Sequence, residues 1–558
     1  MRSPALPIAL SAIALFALEP FVGKVLLPRM GGTPMVWNTC VMVFQLLLLA
    51  GYWYSVRLGR MPNAAAAARR HTLVVAAAAL TWPLTVRALW VAPWPGVPPV
   101  AWIAIVCVIG IGLPFIVLSA TSPLVQVWLA RSGTSAVPVH RLYAVSNIAS
   151  VAGLLLYVVV IEPIAGVRMQ SWIIWALAVG GTVLSLGAAH AAARVPPAPL
   201  VSEPVEPAEP AVAAAVRPAP RPWLWFALSF AASLCLFSVN TYVATDVASF
   251  PLLFAVPLAI FLLAYAAGFT AFAERAGRWI PLAAMACAAG ALYYLLRVST
   301  PATSVLDLPL PLLALGGIVT ALAARLAASR PDVPGLPTFY TLIGVGGVVA
   351  GVVSVLLLPW GWTRIAEPFH SLNLLVVNST VPEYPLALVL GMGLLARGWI
   401  RLFAVAALVF VCMTTEPTYG EERRFEARNF YGTLRVQFDP STSTSKLRNG
   451  TTLHGFEVAE GSGQATSYYH PASPIGQVMR RLMPRRVVAM GLGVGTLSAY
   501  AYEGDEYTFL ELNPLVEYVS ARSGLFTYVS RARQRGARID VALGDGRLLA
   551  GALPDGSA

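Results

Sequence analysis

The sequence predicts a polytopic α-helical membrane domain followed by a soluble domain that begins like a doubly wound α/β fold. Hydrophobic residues make up 57% of the 558 residues, charged residues only 11%, and the mean hydropathy is +0.70. A soluble domain carries about 25% charged residues. Residues 1–414 hold 22 basic and 11 acidic side chains, whereas the shorter stretch 415–558 holds 16 and 15. These values exclude a soluble globular protein, a disordered chain and a disulfide scaffold.

The membrane domain is predicted from runs of apolar residues, because a spanning helix needs about 20 of them. Eleven such runs precede a longer one at 385–413, which contains Arg397 and Arg401. Arginines are costly near the centre of a bilayer, so this run is either one awkward helix or, as we favour, two short segments with the arginines at a turn. About 12–13 spans are therefore expected. The eleven runs are 6–27, 36–56, 72–92, 99–121, 142–162, 170–193, 223–245, 250–272, 279–297, 308–328 and 337–359.

Composition divides the chain into five regions. Residues 195–222 are dominated by Pro, Ala, Val and Glu and cannot bury a core, so they are predicted to form a linker. This linker separates a first membrane bundle of six spans, residues 1–194, from a second bundle at 223–414. The tail is divided into a β-hairpin lid region, 415–484, and an incomplete α/β domain, 485–558.

The lid region is predicted from alternation and from a turn signal. Residues Tyr431–Phe438 alternate like a strand, and Thr451–Glu457 return as its partner after the turn signal Asn449-Gly450.

The α/β domain is predicted from three strands with a glycine-rich loop after the first. The pattern strand, glycine loop, helix, strand, helix, strand is typical of the start of a doubly wound sheet. The predicted strands are Arg485–Met490, Tyr507–Leu512 and Ile539–Leu543, and the predicted helices are Leu497–Tyr502 and Pro514–Ala521.

The glycine loop and two acidic residues carry the strongest chemical signal. Gly491, Gly493 and Gly495 let the backbone turn tightly and approach a ligand, with a spacing of GxGxG rather than the dinucleotide GxGxxG. Glu511 ends the second strand, where a carboxylate can accept both hydroxyl hydrogen bonds of a ribose. Asp545 ends the third strand, within reach of an adenine amino group. The three elements together predict an adenosine-containing ligand.

Short motifs along both parts of the chain resemble one family. In the membrane part they are Leu27-Pro28, Gly31-Gly32, Leu142–Asn147, Ala244–Ala248 and Glu383–Leu386. In the tail they are Asn449–Gly455, Ser467–His470, Pro474–Gly476, the Gly491 loop, Glu511–Pro514 and Gly544–Arg547. With these motifs the tail resembles the S-adenosylmethionine-type fold in its polyamine aminopropyltransferase (spermidine synthase) branch. The whole chain resembles bacterial membrane proteins described as fused transporter/spermidine synthases.

The resemblance implies that the tail holds decarboxylated S-adenosylmethionine, or a related S-adenosyl nucleoside, as a substrate under a hairpin lid. The residues it assigns to the nucleoside are Gly491, Gly493, Gly495, Glu511 and Asp545, and the lid or substrate candidates are His454, Tyr469 and His470.

Two departures from the family leave the catalytic residues unassigned. Authentic aminopropyltransferases have glutamate after Tyr-His, but Pro471 follows Tyr469-His470. Their catalytic aspartate follows a fourth strand, which is expected to begin only where this sequence stops, at Ala558. The domain is thus a truncated one, either part of a longer reading frame or a degenerate domain that binds without catalysing.

Two acidic residues within predicted spans are further candidates. Glu19 and Asp246 are suited to take a polyamine or a proton, because ionisable groups in lipid are costly. The alternative is an interhelical salt bridge or a helix-end contact. No metal is expected, since the five cysteines lie far apart without a Cys/His cluster. The net charge of +12 belongs to the membrane part, so the expected partners are the lipid bilayer and a small amine or polyamine, not nucleic acid.

Two functions therefore remain open. The first is an integral membrane spermidine synthase-like protein, which in complete relatives transfers an aminopropyl group to a polyamine. The second is a transporter or sensor of amines with a non-catalytic nucleoside-binding tail. Loop arginines indicate a bacterial inner-membrane protein with a cytoplasmic N-terminus. The tail is expected in the cytoplasm, where such nucleosides are found. Twelve spans would return it there, whereas thirteen would place it outside.

Overall fold

The fold is known from a computed structural model of the chain. The structure describes residues 4–89, 91–94, 96–131, 139–194, 221–247, 253–297, 306–331, 336–359, 361, 381–396, 421–450, 452–458 and 463–553. Most of the predicted linker, 195–220, and the arginine-containing half of the run 385–413 lie outside these residues.

Helices build the whole described part of the membrane domain. Three of them, which end at Leu155, Tyr242 and Val352, continue into a wider π-helical turn. These turns are Leu156–Ile161, Val243–Val247 and Val353–Leu357. The helices are α1 (Ala5–Met30), α2 (Pro34–Gly59), α3 (Ala64–Ala88), α4 (Pro99–Arg131), α5 (Val139–Leu155), α6 (Val167–Arg194), α7 (Pro222–Tyr242), α8 (Ala255–Gly268), α9 (Ala271–Ala276), α10 (Trp279–Arg297), α11 (Pro309–Ala328), α12 (Leu336–Val352) and α13 (Glu383–Leu395).

Eight helices of the described chain are long and apolar enough to cross a membrane, so the chain is a multi-pass membrane protein. The 12–13 spans expected for the whole chain include the run 385–413, of which residues 397–413 lie outside the described residues. Three expected spans contain shorter apolar helices: Ala255–Gly268, Trp279–Leu295 and Glu383–Leu395. The expected span 72–92 falls in α3, which begins earlier, at Ala64, and includes Arg69 and Arg70.

The first helix packs on α4, α5 and α6. Two glycines let its neighbours approach closely: a Cβ at Gly153 would lie 2.5 Å from the Ile13 carbonyl oxygen, and one at Gly181 2.7 Å from the Ser11 nitrogen. Small residues at such contacts are typical of helices that associate in lipid. The two predicted bundles share one apolar core, to which both Phe44 and Phe237 belong.

Arginines concentrate at the end of the domain where α1 begins. Ile8 near the start of α1 packs there with Leu58, Trp128 and Leu142, at the ends of α2 and α4 and the start of α5. The same helix ends carry arginines at positions 57, 60, 69, 70, 131 and 194.

The lid region is a four-stranded antiparallel meander in the order β1-β2-β3-β4. The predicted first strand corresponds to β2 and the predicted second strand to β4, but β2 pairs with a strand that the sequence did not predict, β3. Strands β1 and β3 were missed because they are rich in charged and polar residues and lack apolar alternation. The Asn449-Gly450 turn is confirmed, between β3 and β4. The strands are β1 (Glu422–Asn429), β2 (Gly432–Asp439), β3 (Thr444–Asn449) and β4 (Thr452–Val458).

A second, parallel sheet follows, in the order β5-β6-β7. The predicted helix after the glycine loop is wrong in type, since Thr496–Tyr500 is a 3₁₀ turn. It ends where the Arg535 guanidinium donates to the carbonyl oxygens of Ser498, Ala499 and Ala501. The strands are β5 (Arg486–Met490), β6 (Glu506–Glu511) and β7 (Arg538–Leu543), and the helices are α14 (Pro474–Leu482), α15 (Pro514–Glu517), α16 (Tyr528–Gln534) and α17 (Gly546–Gly551). The two sheets share one core, in which Val436 and Leu447 pack with residues such as Phe509.

The carboxyl ends of β6 and β7 lie against the turn between α1 and α2. A Cβ at Gly31 would lie 2.6 Å from Cδ2 of Leu512, the residue after β6. Arg547, just beyond β7, donates from Nη2 to the carbonyl oxygen of Pro28 at 2.6 Å. The edge of the sheet that carries the predicted site therefore faces the membrane domain.

Two turns and one strand of the lid region contact the membrane domain as well. Phe430, between β1 and β2, packs against the membrane core. A Cβ at Gly450 would lie 2.6 Å from Thr245 Cγ2, at the end of α7. Arg428 of β1 forms a salt bridge with Glu383, the first residue of α13.

These contacts place the tail at the end of α1 that is remote from its N-terminus. Because α1 is one helix of 26 residues, its two ends lie on opposite sides of a membrane that it crosses. The arginine-rich end and the tail are at opposite ends of the helices.

Candidate functional site

The loop after β5 contains three glycines with left-handed backbone. Their φ values are 90° at Gly491, 56° at Gly493 and 81° at Gly495. A Cβ at Gly491 would meet no atom within 4 Å, whereas one at Gly495 would lie 2.7 Å from Val529 and one at Gly493 3.1 Å from the His454 carbonyl oxygen. Gly491 therefore borders open space at the sheet edge, and the other two glycines are required for packing.

Glu511 lies beside this loop and is held by two backbone N–H groups. Its Oε2 accepts from Leu492 of the glycine loop and its Oε1 from Asn513, both at 2.8 Å. The side chain is buried. Each carboxylate oxygen keeps a second lone pair, so the group can accept two further hydrogen bonds in a fixed orientation.

The lid strand β4 lies over the glycine loop. A Cβ at Gly455 would lie 2.7 Å from Val494, and His454 precedes it on the same strand. Burial lowers the pKa of His454, and the nearby Glu511 carboxylate opposes this shift. The structure thus brings together the glycine loop, Glu511 and a neutral imidazole.

Asp545 lies at the end of β7 and caps the next helix. Its Oδ1 accepts from the N–H groups of Arg547 at 3.0 Å and Leu548 at 3.1 Å. Burial and the Asp545 charge both raise the pKa of Tyr431, which lies between β1 and β2. Tyr431 therefore keeps its proton beside Asp545, a neighbour that the sequence did not predict because it requires the lid to fold onto the sheet.

Tyr469 and His470 contact another part of the tail. The Tyr469 carbonyl oxygen accepts a hydrogen bond from the Tyr500 hydroxyl at 2.5 Å. The side chain of Tyr469 is half-buried. His470 is exposed, and its Nδ1 accepts from the Ala472 N–H at 3.1 Å. Both residues have structural contacts in a turn before α14.

Asn513 was missed as a candidate although the motif Glu511–Pro514 contains it. Its Oδ1 accepts from Leu515 at 3.0 Å, which caps α15, and from Asn429 Nδ2 at 2.7 Å. Asn513 therefore connects the end of β6 to the end of β1.

The two acidic residues predicted within spans have different surroundings. Glu19 lies in the middle of α1, and its side chain is buried. Lys24 pairs with Glu162 at 2.7 Å rather than with Glu19. Asp246 lies at the end of α7 against the β3–β4 turn, where a Cβ at Gly450 would be 3.2 Å from its Oδ1. Asp246 is therefore at the contact between the two domains.

In the part of the chain that the structure describes, no three His, Cys, Asp or Glu side chains are grouped to hold a metal ion. No protein-family model and no curated protein matches the chain.

Proposed function

We propose that the tail binds an S-adenosyl nucleoside, decarboxylated S-adenosylmethionine or a relative of it, at the carboxyl edge of the β5–β7 sheet, as a doubly wound domain of the S-adenosylmethionine type. The observation that carries this proposal is the Glu511 carboxylate, which two backbone N–H groups fix beside the glycine loop. A ribose diol needs two acceptors in one plane, and the remaining lone pairs of Glu511 supply them.

The surroundings of Glu511 fit the rest of such a ligand. Open space in front of Gly491 admits the sugar and its 5′ substituent. Asp545 and the protonated Tyr431 lie at the neighbouring strand end, where they can bond the base edge. The ligand class is cationic at its sulfonium, and the acidic groups Glu511 and Asp545 suit a cation.

Aminopropyl transfer to an amine is the reaction that the family resemblance implies. The amine lone pair attacks the propyl carbon, the bond from that carbon to the sulfonium sulfur breaks, and methylthioadenosine leaves with both bonding electrons. The amine proton must pass to a base. His454 is the group of that type near Glu511, and it is neutral because burial lowers its pKa.

A second function, ligand sensing or transport by the helices, is supported by one observation. The sheet edge that would hold the nucleoside rests on the α1–α2 turn, through Leu512 on Gly31 and Arg547 on Pro28. Occupancy of the tail can therefore alter the packing of two membrane helices. In that case the chain binds the nucleoside without transferring a group.

The arginine distribution supports one orientation in a bacterial inner membrane. Cytoplasmic loops carry the excess of arginine, so in this orientation the arginine-rich end of the helices faces the cytoplasm and the tail lies outside. The tail would then bind only nucleoside that has left the cytoplasm. Alkaline phosphatase fused after residue 553 is expected to be active, since this enzyme matures only outside the cytoplasm. An inactive phosphatase fusion, together with a fluorescent protein that fluoresces when fused at the same position, would place the tail in the cytoplasm. That result would contradict this orientation but not nucleoside binding.

Calorimetry on the detergent-solubilised chain tests nucleoside binding. Decarboxylated S-adenosylmethionine, S-adenosylmethionine and methylthioadenosine are titrated into the wild type, Glu511→Gln and Glu506→Gln. Glu506 begins the strand that Glu511 ends and is exposed, so it is the matched control. We expect at least about a tenfold loss of affinity in Glu511→Gln only, since one amide cannot accept both N–H groups.

Two results would contradict the proposal: no heat with any nucleoside, or equal affinities in all three proteins. Where binding is found, added putrescine separates the two functions. Release of methylthioadenosine supports transfer, and its absence supports sensing or transport.

A further inference from the structure

A partly open cavity of about 100 Å³ lies in the membrane domain next to the docked tail. Its wall includes Gly32, Thr33 and Trp37 from the α1–α2 turn and the start of α2. The end of α7 contributes Asn240, and Phe254 precedes α8. Its volume exceeds the roughly 30 Å³ that one water molecule occupies in the liquid. The cavity therefore has room for a small organic molecule.

Three polar groups on this wall have no hydrogen-bond partner among the described residues. They are the Thr33 hydroxyl, the Trp37 indole N–H and both polar atoms of the Asn240 amide. Trp37 is 3% exposed and Asn240 is 5% exposed. Buried polar groups are nearly always hydrogen-bonded, because an unsatisfied one is destabilising. Three of them in one wall indicate a ligand.

The rest of the wall is apolar and rigid. The Trp37 ring stacks on Phe254, and its six-membered ring also lies against Gly23, where any Cβ would overlap it. The Trp37 N–H is therefore fixed in position before a ligand arrives. The remaining lining consists of aliphatic residues and prolines such as Leu27 and Pro257.

The chemistry of the wall selects a neutral ligand. No charged side chain is among the described residues that line the cavity, so neither an ammonium nor a carboxylate would find a counter-ion. Trp37 only donates, Thr33 donates or accepts, and the Asn240 amide does both. A primary amide or a hydroxyl group on a short hydrocarbon body matches this set.

We propose that this cavity is a binding site for a small neutral molecule with a short apolar body and one amide or hydroxyl group. The site goes beyond nucleoside binding by the tail and does not depend on it. It lies close to the tail, because Gly31 contacts Leu512 and the adjacent Gly32 lines the cavity.

Three probes of one shape test the proposal: isobutyramide, isobutylammonium and isobutyrate. Their binding to the full chain in nanodiscs is measured by ligand-observed saturation-transfer NMR without nucleoside. We expect only the neutral amide to bind. Stronger binding of the ammonium or the carboxylate, or no binding by any of the three, would overturn the proposal.

Variants then locate the site. Asn240→Leu is expected to weaken isobutyramide binding about tenfold without lowering the melting temperature, because the amide has no partner to lose. Ser238→Ala is the matched control on the same helix, since its hydroxyl donates to the Cys235 carbonyl oxygen at 3.0 Å and lies outside the cavity wall. Equal binding by Asn240→Leu and the wild type would overturn the assignment. Trp37→Phe repeats the test on the indole N–H in case Asn240→Leu fails to fold.

Discussion

Arg428 of the tail and Glu383 of the membrane domain form a buried, two-bond ion pair. Arg428 Nη1 lies 2.9 Å from Glu383 Oε2 and Nη2 lies 2.6 Å from Oε1. The side chains are 5% and 0% exposed. Burial lowers the pKa of Arg428, but the Glu383 charge and hydrogen bonds raise it by more, so the net shift is upward. Arg428 is thus fully charged where the tail meets the helices.

Removal of one partner of this pair should be strongly destabilising. We expect Glu383→Leu and Arg428→Met each to cost about 3–5 kcal/mol, because the other charge stays buried. The double variant Glu383→Leu/Arg428→Met should regain most of that loss, since apolar replacement of both partners is often neutral. The loss of stability in the single variants and its recovery in the double variant are measured from melting temperatures in detergent.

The control for the ion pair is Arg538→Met, which breaks exposed pairs with Asp540 and Glu506. It should cost about 0–1 kcal/mol. A double variant as unstable as the two single variants added together would contradict coupling between Arg428 and Glu383.

Substitution of Gly491 tests the open space at the sheet edge, and substitution of Gly504 is its control. Their φ values are 90° and 83°, and a Cβ at either position meets no atom. Alanine at each should therefore cost a similar amount, about 1 kcal/mol. Only Gly491→Ala should weaken nucleoside binding in calorimetry, since its methyl group would enter the space in front of β5. Equal loss of binding in both variants would remove Gly491 from the site.

His454 should make the tail sensitive to acid. Burial places its folded-state pKa below the ordinary value of 6.5, so the unfolded chain binds the proton more readily. The contribution of neutral His454 to the free energy of unfolding is therefore fully present above about pH 6.5. It decreases as the pH falls from about 6.5 through the folded-state pKa. The nearby Glu511 carboxylate raises the pKa of His454 against the effect of burial, so it reduces this loss of stability.

Melting curves between pH 7.5 and 5 should show a smaller decrease for His454→Gln than for the wild type. Glutamine is neutral throughout this range, so it removes only the titration. Parallel curves for the two proteins would show that His454 is not the titrating group.

Gly31 is the tightest contact between the α1–α2 turn and the tail. Its φ is 74° and a Cβ would lie 2.6 Å from Leu512 Cδ2, whereas a Cβ at Gly32 meets no atom within 4 Å. We expect Gly31→Ala to increase hydrogen–deuterium exchange at residues 511–515, and Gly32→Ala to leave it unchanged. Leu512→Ala in the Gly31→Ala background should restore part of the protection. Unchanged exchange in Gly31→Ala would show that the tail is not held at this turn.

The sequence by itself determined the two-part organisation and the strands that carry the candidate site. Long apolar runs and the change of charge density at residue 414 require lipid around one part and water around the other. The strand at Arg486–Met490 was predicted because buried parallel strands are continuous apolar runs. Glu511 and Asp545 were predicted as strand-end residues for the same reason. Periodicity failed at β1 and β3, whose charged side chains find partners on other elements of the fold, as Glu426 of β1 does with Arg435 of β2 at 2.9 Å.

Only the tertiary structure decided where the tail sits. Arg428 and Glu383 are far apart in sequence and polar, so no local pattern marks them as partners. The same holds for Leu512 on Gly31 and for Arg547 on Pro28, and these contacts place the tail opposite the arginine-rich end. The cavity beside Trp37 and Asn240 likewise exists only because α1, α2 and α7 meet there. Long-range packing sets such contacts, so the sequence contains the residues but does not show which of them are in contact.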